Sequence, residues 1–430
     1  MTRLDEIMKR TEQFRYDRFG MFIHWGIYSI PARGEWVRSR ENITIEDYQK
    51  YFDEFNPTEY DPKQWAIIAK QAGMKYAVMT AKHHDGFCMF DSKLTDYKST
   101  DTPIKKDLIR EYADAFRAEG LKVGFYYSLL DWHHPDYPKY GDRCHPMREK
   151  EEFEDEKINF DNYVEYMHGQ VKELLTNYGK IDIIWFDFSY EEMTGEKWQA
   201  EKLVKMVREL QPGIIIDNRL DGKNSLVEGN PTIYSGDFAS PEQFIPAQGV
   251  TDKLGNPLPW EACVTMNDHW GYASQDNNFK DSKQIVRKLV ECVSKGGNLL
   301  MNVGPDAKGR IPKPSVDILN EVGNWMHDNH RSIYGCSIAE LTKPEWGYYT
   351  QNGNKLYLHL FENPMGPLAV QLPRKIKSVR FIADGSERVS RRPWFAGNIG
   401  EGHLFLEVGR LDVWPNNPID TVFEVELEEK

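Results

Sequence analysis

The stretch Ile181-Asp182-Ile183-Ile184-Trp185-Phe186-Asp187-Phe188 decides how this chain is read. Its first half is an apolar, β-branched run, the pattern of a strand buried on both faces. A long helical pattern and the turn Asn177-Tyr178-Gly179-Lys180 precede it. The run ends in Asp187, wedged between aromatic residues. Asp is a poor strand former and is costly to bury without a partner. A carboxylate in that position caps the next helix, pairs with an arginine, or reacts. Other strands of the chain also end in polar groups, and that repetition points to reactivity.

Outward from this stretch, strands alternate with helical patterns. Strand patterns fall at residues 20–26, 76–82, 122–128, 181–188, 213–219, 234–238, 260–266 and 298–305. Helical patterns fall at 1–18, 44–55, 61–73, 105–119, 153–177, 195–210, 281–295 and 314–329, with a polar loop at 133–152. Such alternation implies parallel strands joined by crossovers. Eight of them predict an α/β fold of the closed (β/α)8 type, a TIM-like barrel, with its reactive groups at the C-terminal strand ends. His24, His83, His84, Tyr127, Asp187, Arg219 and Glu261 lie at or near strand boundaries. An open doubly wound sheet would want a glycine-rich phosphate loop, and no G-x-G-x-x-G follows the first strand. From about residue 336 the pattern changes to short alternating segments, Lys355–Phe361, Ser378–Ala383, Leu404–Val408 and Thr421–Leu427, between Gly, Pro and Asn turns. These predict a C-terminal antiparallel β-sandwich, so the expected domains are 1–335 and 336–430.

Composition narrows the function. The formal net charge of −13 disfavours nucleic acid, anionic membranes and polyanionic glycans, and favours a neutral ligand. Twelve Trp and 22 Tyr, many just beyond apolar runs, supply flat surfaces for a pocket. The five cysteines are scattered, with no CxxC and no zinc spacing, so neither a disulfide framework nor a structural metal is expected. Residues 1–18 lack an apolar signal core, and no apolar run is long enough to cross a bilayer. A cytoplasmic protein fits these features, as does a secreted one whose leader has been removed. The oligomeric state is not encoded in any recognisable way.

The chemistry starts from paired carboxylates. Two Asp or Glu residues about 5–5.5 Å apart can break a glycosidic bond by double displacement. Asp187 is the candidate nucleophile, with Glu242 and Glu261 competing for the acid/base role. Glu242 sits on a loop after Gly236-Asp237-Phe238; its bland alternative is an exposed loop glutamate. Glu261 begins a strand, which is the wrong end of a barrel for an acid. His24, His83 and His84 are hydroxyl-binding or metal-binding candidates. Adjacent His83 and His84 reach one site only if the chain turns, which Asp85-Gly86 permits. There is no H-E-x-x-H and no His-x-His. Trp36, Tyr127 and Trp185 can stack on a sugar or pack in the core. Arg219 needs an acidic or hydroxyl partner.

Several stretches together resemble the α-L-fucosidases of glycoside hydrolase family 29. They are Arg18–Gly26, Glu35-Trp36, Ala81–Phe87, Trp185-Phe186-Asp187, Trp260-Glu261, Trp270-Gly271-Tyr272 and Gly297–Pro305. The resemblance implies a retaining exo-glycosidase acting on terminal α-L-fucosyl groups of oligosaccharides or glycoconjugates, without metal or cofactor. It implies Asp187 as nucleophile and Glu242 as acid/base, with Glu261 as runner-up. His24, Glu35, Trp36, His83, His84, Tyr127, Trp185 and Arg219 would then bind the substrate. Phe188 departs from the glycine common at that place, which bears on the pocket floor. A neutral deoxy sugar suits a site rich in His, Trp and Tyr, since its hydroxyls need donors and acceptors and its methyl an apolar wall. Two other readings follow from the same residues: a metal-dependent hydrolase using His24, His83, His84 and Asp187, and a non-catalytic fucose-binding protein.

Overall fold

A computed structural model of the chain describes residues 2–362, 367–388, 394, 398, 402–406 and 417–429. Seven parallel strands form one sheet: β1 (Phe19–Ile23), β2 (Tyr76–Lys82), β3 (Lys122–Ser128), β4 (Ile183–Asp187), β5 (Ile215–Ile216), β6 (Glu261–Thr265) and β7 (Asn298–Val303). Their order is β5-β4-β3-β2-β1-β7-β6. Apolar, β-branched and aromatic residues dominate these strands, and nearly every position is buried. Burial on both faces is what a parallel sheet covered by crossover helices requires.

The sixth predicted strand, 234–238, is not a strand. The chain from Asp237 to Gln243 instead spans the gap between β5 and β6 through single bridges, Asp217 to Phe238, Ala239 to Trp260 and Glu242 to Cys263. Asp237 N donates to Ile216 O at 2.7 Å, and Gln243 N donates to Cys263 O at 2.9 Å. The β-ladder is therefore regular over seven strands and irregular at the seam. The prediction for 213–219 also shrinks to two residues, because the Asp217 and Asp237 carboxylates take backbone N–H groups that a ladder would use.

The helices keep close to their sequence patterns. Asp61 caps Pro62–Gln71, Asp107 caps Leu108–Ala118, and Asp281 with Gln284 forms a capping box on Ser282–Ser294. Three patterns overrun their helices, one of them being 195–210, where the helix begins only at Ala200. Residues 1–18 divide into Arg3–Arg10 and Glu12–Asp17, and 153–177 is helical only over Phe160–Asn177. Among the described residues no helix is long and apolar enough to cross a membrane. The five cysteines are buried and unpaired.

Alternate residues of the seven strands point into one enclosed core: Phe22, Val78, Tyr126, Ile183, Trp185, Ile215, Cys263 and Leu300. Phe14, from the second N-terminal helix, joins that core, and Phe238 from the seam completes it. The C-terminal part holds a four-stranded antiparallel sheet and a two-stranded one. The strands are β8 (Gly347–Asn352), β9 (Lys355–Leu360), β10 (Leu368–Gln371), β11 (Ile376–Phe381), β12 (His403–Leu406) and β13 (Thr421–Leu427). The sheet orders are β11-β13-β9-β8 and β10-β12. Leu358, Val370, Leu404 and Phe423 share one core between the sheets, which is the predicted sandwich. Of the predicted segment Leu404–Val408, residues 407 and 408 lie outside the described residues.

Candidate active site

The C-terminal ends of the strands surround a small cavity of about 50 Å³. His24 follows β1, His83 and His84 follow β2, Asp187 ends β4, and Arg219 follows β5. Trp36, Trp185 and Glu242 complete the predicted set that lines it, together with Phe22, Tyr126, Phe188, Cys263 and Trp270.

Both adjacent histidines reach the cavity because the end of β2 is irregular. The β2–β3 register shifts between Thr80 and Lys82, and the chain then turns at Gly86, φ 82°. A bulge followed by a turn re-aims consecutive side chains that a regular strand would send to opposite faces. The imidazole centroids of His83 and His84 lie 4.0 Å apart.

Hydrogen bonds fix the roles of some of these rings. Asn302 Nδ2 donates to Trp270 O at 2.8 Å, so its Oδ1 is the acceptor for His24 Nδ1 at 2.7 Å. His24 therefore carries its proton on Nδ1 and offers Nε2 as an acceptor. His84 Nδ1 meets Ser128 Oγ at 2.7 Å. His83 Nδ1 has no hydrogen-bond partner among the described residues. Burial lowers His24 to about 3 and holds His83 and His84 well below the usual histidine range, with repulsion between neighbouring cations adding to it. At neutral pH the cluster is three uncharged imidazoles, suited to hydroxyls rather than to an anion.

Asp187 is held by two donors. Arg219 Nη1 reaches its Oδ1 at 2.9 Å, and the Tyr126 hydroxyl donates to Oδ2 at 2.8 Å. Arg219 Nη1 also contacts Glu242 Oε2 at 2.8 Å. One nitrogen thus touches an oxygen of each carboxylate, so those oxygens lie less than about 6 Å apart, in the range of a retaining pair. The two groups differ in setting: the Asp187 side chain is 11% exposed and that of Glu242 41%. Arg219 is itself fixed, lying over the Trp185 ring at 4.4 Å and donating from Nε to Ser240 Oγ at 3.1 Å.

Three predicted residues stand elsewhere. Tyr127 does not line the cavity; its hydroxyl donates to Gln170 Oε1 at 2.7 Å, and its ring lies under Lys82 on the helix side of the sheet. Tyr126 occupies the inner face instead, as Cα partner of Trp185 in the β3–β4 register. Glu35 is buried beside the cavity, where Oε2 accepts from Gly271 N at 2.8 Å and so supports the segment carrying Trp270. Glu261 lies in the barrel interior, bonded to the Tyr76 hydroxyl, fully buried and pushed up to about 8 by desolvation. It does not line the cavity.

Sequence reasoning does not single out Phe22, Tyr126, Cys263 and Trp270 as site residues. The Trp270-Gly271-Tyr272 match was the available signal for Trp270; the others needed strand register. Phe188 holds a left-handed conformation, φ 82°, and packs on Trp36 at 5.3 Å and His84 at 4.9 Å. Among the described residues no three His, Cys, Asp or Glu side chains are grouped so as to hold a metal ion.

Comparison with known proteins bears directly on this site. A family model described as alpha-L-fucosidase matches residues 2–331. The chain is 61% identical to α-L-fucosidase isoenzyme 1 from Paenibacillus thiaminolyticus, covering 98% of this chain and 100% of that one, with a TM-score of 0.95. It is 29% identical to a family 29 α-L-fucosidase from Bacteroides thetaiotaomicron solved as a trapped covalent intermediate, with a TM-score of 0.84 over 98% of this chain and 96% of that one. A Dictyostelium discoideum α-L-fucosidase is 29% identical over 84% of this chain and 80% of its own length. The family match over most of the chain, the shared fold and the carboxylate pair lining the cavity agree: this chain belongs to the α-L-fucosidases of glycoside hydrolase family 29.

Proposed function

We propose that the chain removes terminal α-L-fucosyl groups from oligosaccharides or glycoconjugates, with Asp187 as nucleophile and Glu242 as acid/base. The observation that carries this reading is the single nitrogen, Arg219 Nη1, shared between the two carboxylates at the wall of a cavity lined by neutral histidines. A fucose ring in that cavity meets the His24 Nε2 acceptor and the rings of His83 and His84 at its hydroxyls. Trp36, Trp185 and Trp270 supply apolar faces.

In the first step Asp187 forms a bond to the anomeric carbon while the bond to the leaving oxygen breaks. Glu242 gives that oxygen a proton. In the second step Glu242 takes a proton from water, whose oxygen replaces Asp187 at the same carbon. Arg219 and Tyr126 hold the nucleophile in line throughout, so little reorganisation accompanies the reaction.

Azide tests both assignments. Asp187→Gly should lose nearly all hydrolysis of aryl α-L-fucosides, and added azide should yield β-L-fucosyl azide. Glu242→Ala should spare activated substrates and, with azide, yield the α anomer. Normal turnover by Asp187→Gly overturns the nucleophile assignment. A strong dependence on leaving group in Glu261→Ala rather than Glu242→Ala overturns the acid/base assignment.

A further inference from the structure

A second, wider opening adjoins the cavity and shares Asp187, Phe188 and Arg219 with it. Its volume is about 370 Å³, and it is bordered further by Arg143, Ser189, Tyr190, Asn218 and Asn224. Under the fucosidase reading the inner cavity takes the fucose ring. Whatever the fucose was joined to must lie beyond it, next to the bond that breaks, and this groove is continuous with that place.

The groove is built rather than incidental. Asp142 is buried beneath it, with Oδ1 accepting from Cys144 N at 2.8 Å and His145 N at 2.7 Å, and Oδ2 accepting from the Tyr190 hydroxyl. One carboxylate therefore fixes the turn that carries Arg143 and ties it to the groove wall. Arg143 is exposed and makes no ion pair among the described residues. Asn218 uses its carbonyl oxygen on Ser240 N and Oγ, which leaves its amide NH2 for another acceptor. The Tyr190 ring stands edge-on to Phe188 at 5.6 Å and offers a flat face. The donors are those that sugar hydroxyls accept from, and the aromatic is what a sugar face rests on. Glu191 and Glu192, exposed beside Tyr190, and the net charge of −13 disfavour an anionic occupant.

We propose that this groove is the subsite for the sugar that carries the fucose, a neutral hexose or hexosamine bonded by Arg143 and Asn218 and resting on Tyr190. The proposal rests on the fucosidase reading above. Its test compares kcat/KM for fucosylated disaccharides with that for α-L-fucosyl fluoride, which has no ring on the leaving side. In Arg143→Ala the disaccharide-to-fluoride ratio should fall about tenfold, and Arg143→Lys should restore part of it. A ratio unmoved in both variants overturns the subsite. So does a ratio that responds instead to Phe244→Ala, since Phe244 is an aromatic 61% exposed beside Glu242. A wild-type protein inactive on the fluoride itself removes the fucosidase reading and the subsite with it, a result distinct from an active enzyme with an unmoved ratio.

Discussion

Asp217 shows how much of the site depends on a residue that never reaches the cavity. Its Oδ1 accepts from Phe186 N at 2.8 Å and its Oδ2 from Arg219 N at 3.2 Å. Those backbone groups adjoin the nucleophile and the arginine that touches it, at the point where the β4–β5 ladder stops. Burial drives the Asp217 carboxyl well above its ordinary range. Asn keeps an oxygen acceptor there without a charge, whereas Ala leaves buried N–H groups unpaired. We expect Asp217→Ala to cost about 1–3 kcal/mol by chemical denaturation, and Asp217→Asn less. Both should lower kcat more than they raise KM, because Asp187 and Arg219 lose alignment. Loss of stability with kcat intact would leave Asp217 a purely structural residue. At this scale Asp187, Arg219 and the histidines were legible, since each is a polar residue ending an apolar run. Tyr126 was not. In Phe125-Tyr126-Tyr127 either tyrosine fits the alternation, and only the pairing of Tyr126 with Trp185 decides which faces inward.

Elements place these side chains through their irregular ends rather than their regular middles. The turn after β2 carries both His83 and His84, and Gly86 makes it possible. At φ 82° an added Cβ would sit 2.2 Å from Asp131 Oδ1, whose partner oxygen holds Lys82 Nζ at 3.0 Å. Gly86→Ala should therefore destabilise the fold by more than about 1 kcal/mol and lower kcat/KM as the imidazoles move. Calorimetry and steady-state kinetics on one preparation read both effects, and an unchanged melting point would contradict the argument. The sequence patterns of β2 and β3 match the strands to the residue because they are continuous. The seam between β5 and β6 was not legible: Asp217 and Asp237 replace ladder bonds with side-chain bonds, and hydrophobic periodicity carries no record of that exchange. Glu242 stands on that seam, so its position came from resemblance and loop context rather than from a strand end.

Across the whole molecule the same burial that neutralises the histidines sets how stability depends on pH. The imidazoles have folded values below their unfolded ones, so their contribution is present above about 6.5 and is lost as pH falls through the folded values, about 3 for His24. Glu261 works in the opposite sense. Its folded value, about 8, exceeds the ordinary 4.5, so its contribution is complete below 4.5 and is lost as pH rises through 8. The fold is thus weakened from the acid side by the site and from the alkaline side by a carboxyl inside the barrel. Glu261→Gln keeps an oxygen acceptor for the Tyr76 hydroxyl and cannot ionise. Its melting temperature relative to wild type should climb from pH 6 to about pH 8 and level off above that, while its leaving-group dependence stays that of wild type. Parallel melting curves across that range would mean that Glu261 is already ionised. A collapse of turnover on poor leaving groups would return it to the candidates for the acid. The charge of this residue therefore separates the two roles that its place in the sequence left open: a proton donor to substrate needs solvent and a cavity, and Glu261 has a tyrosine and a closed core.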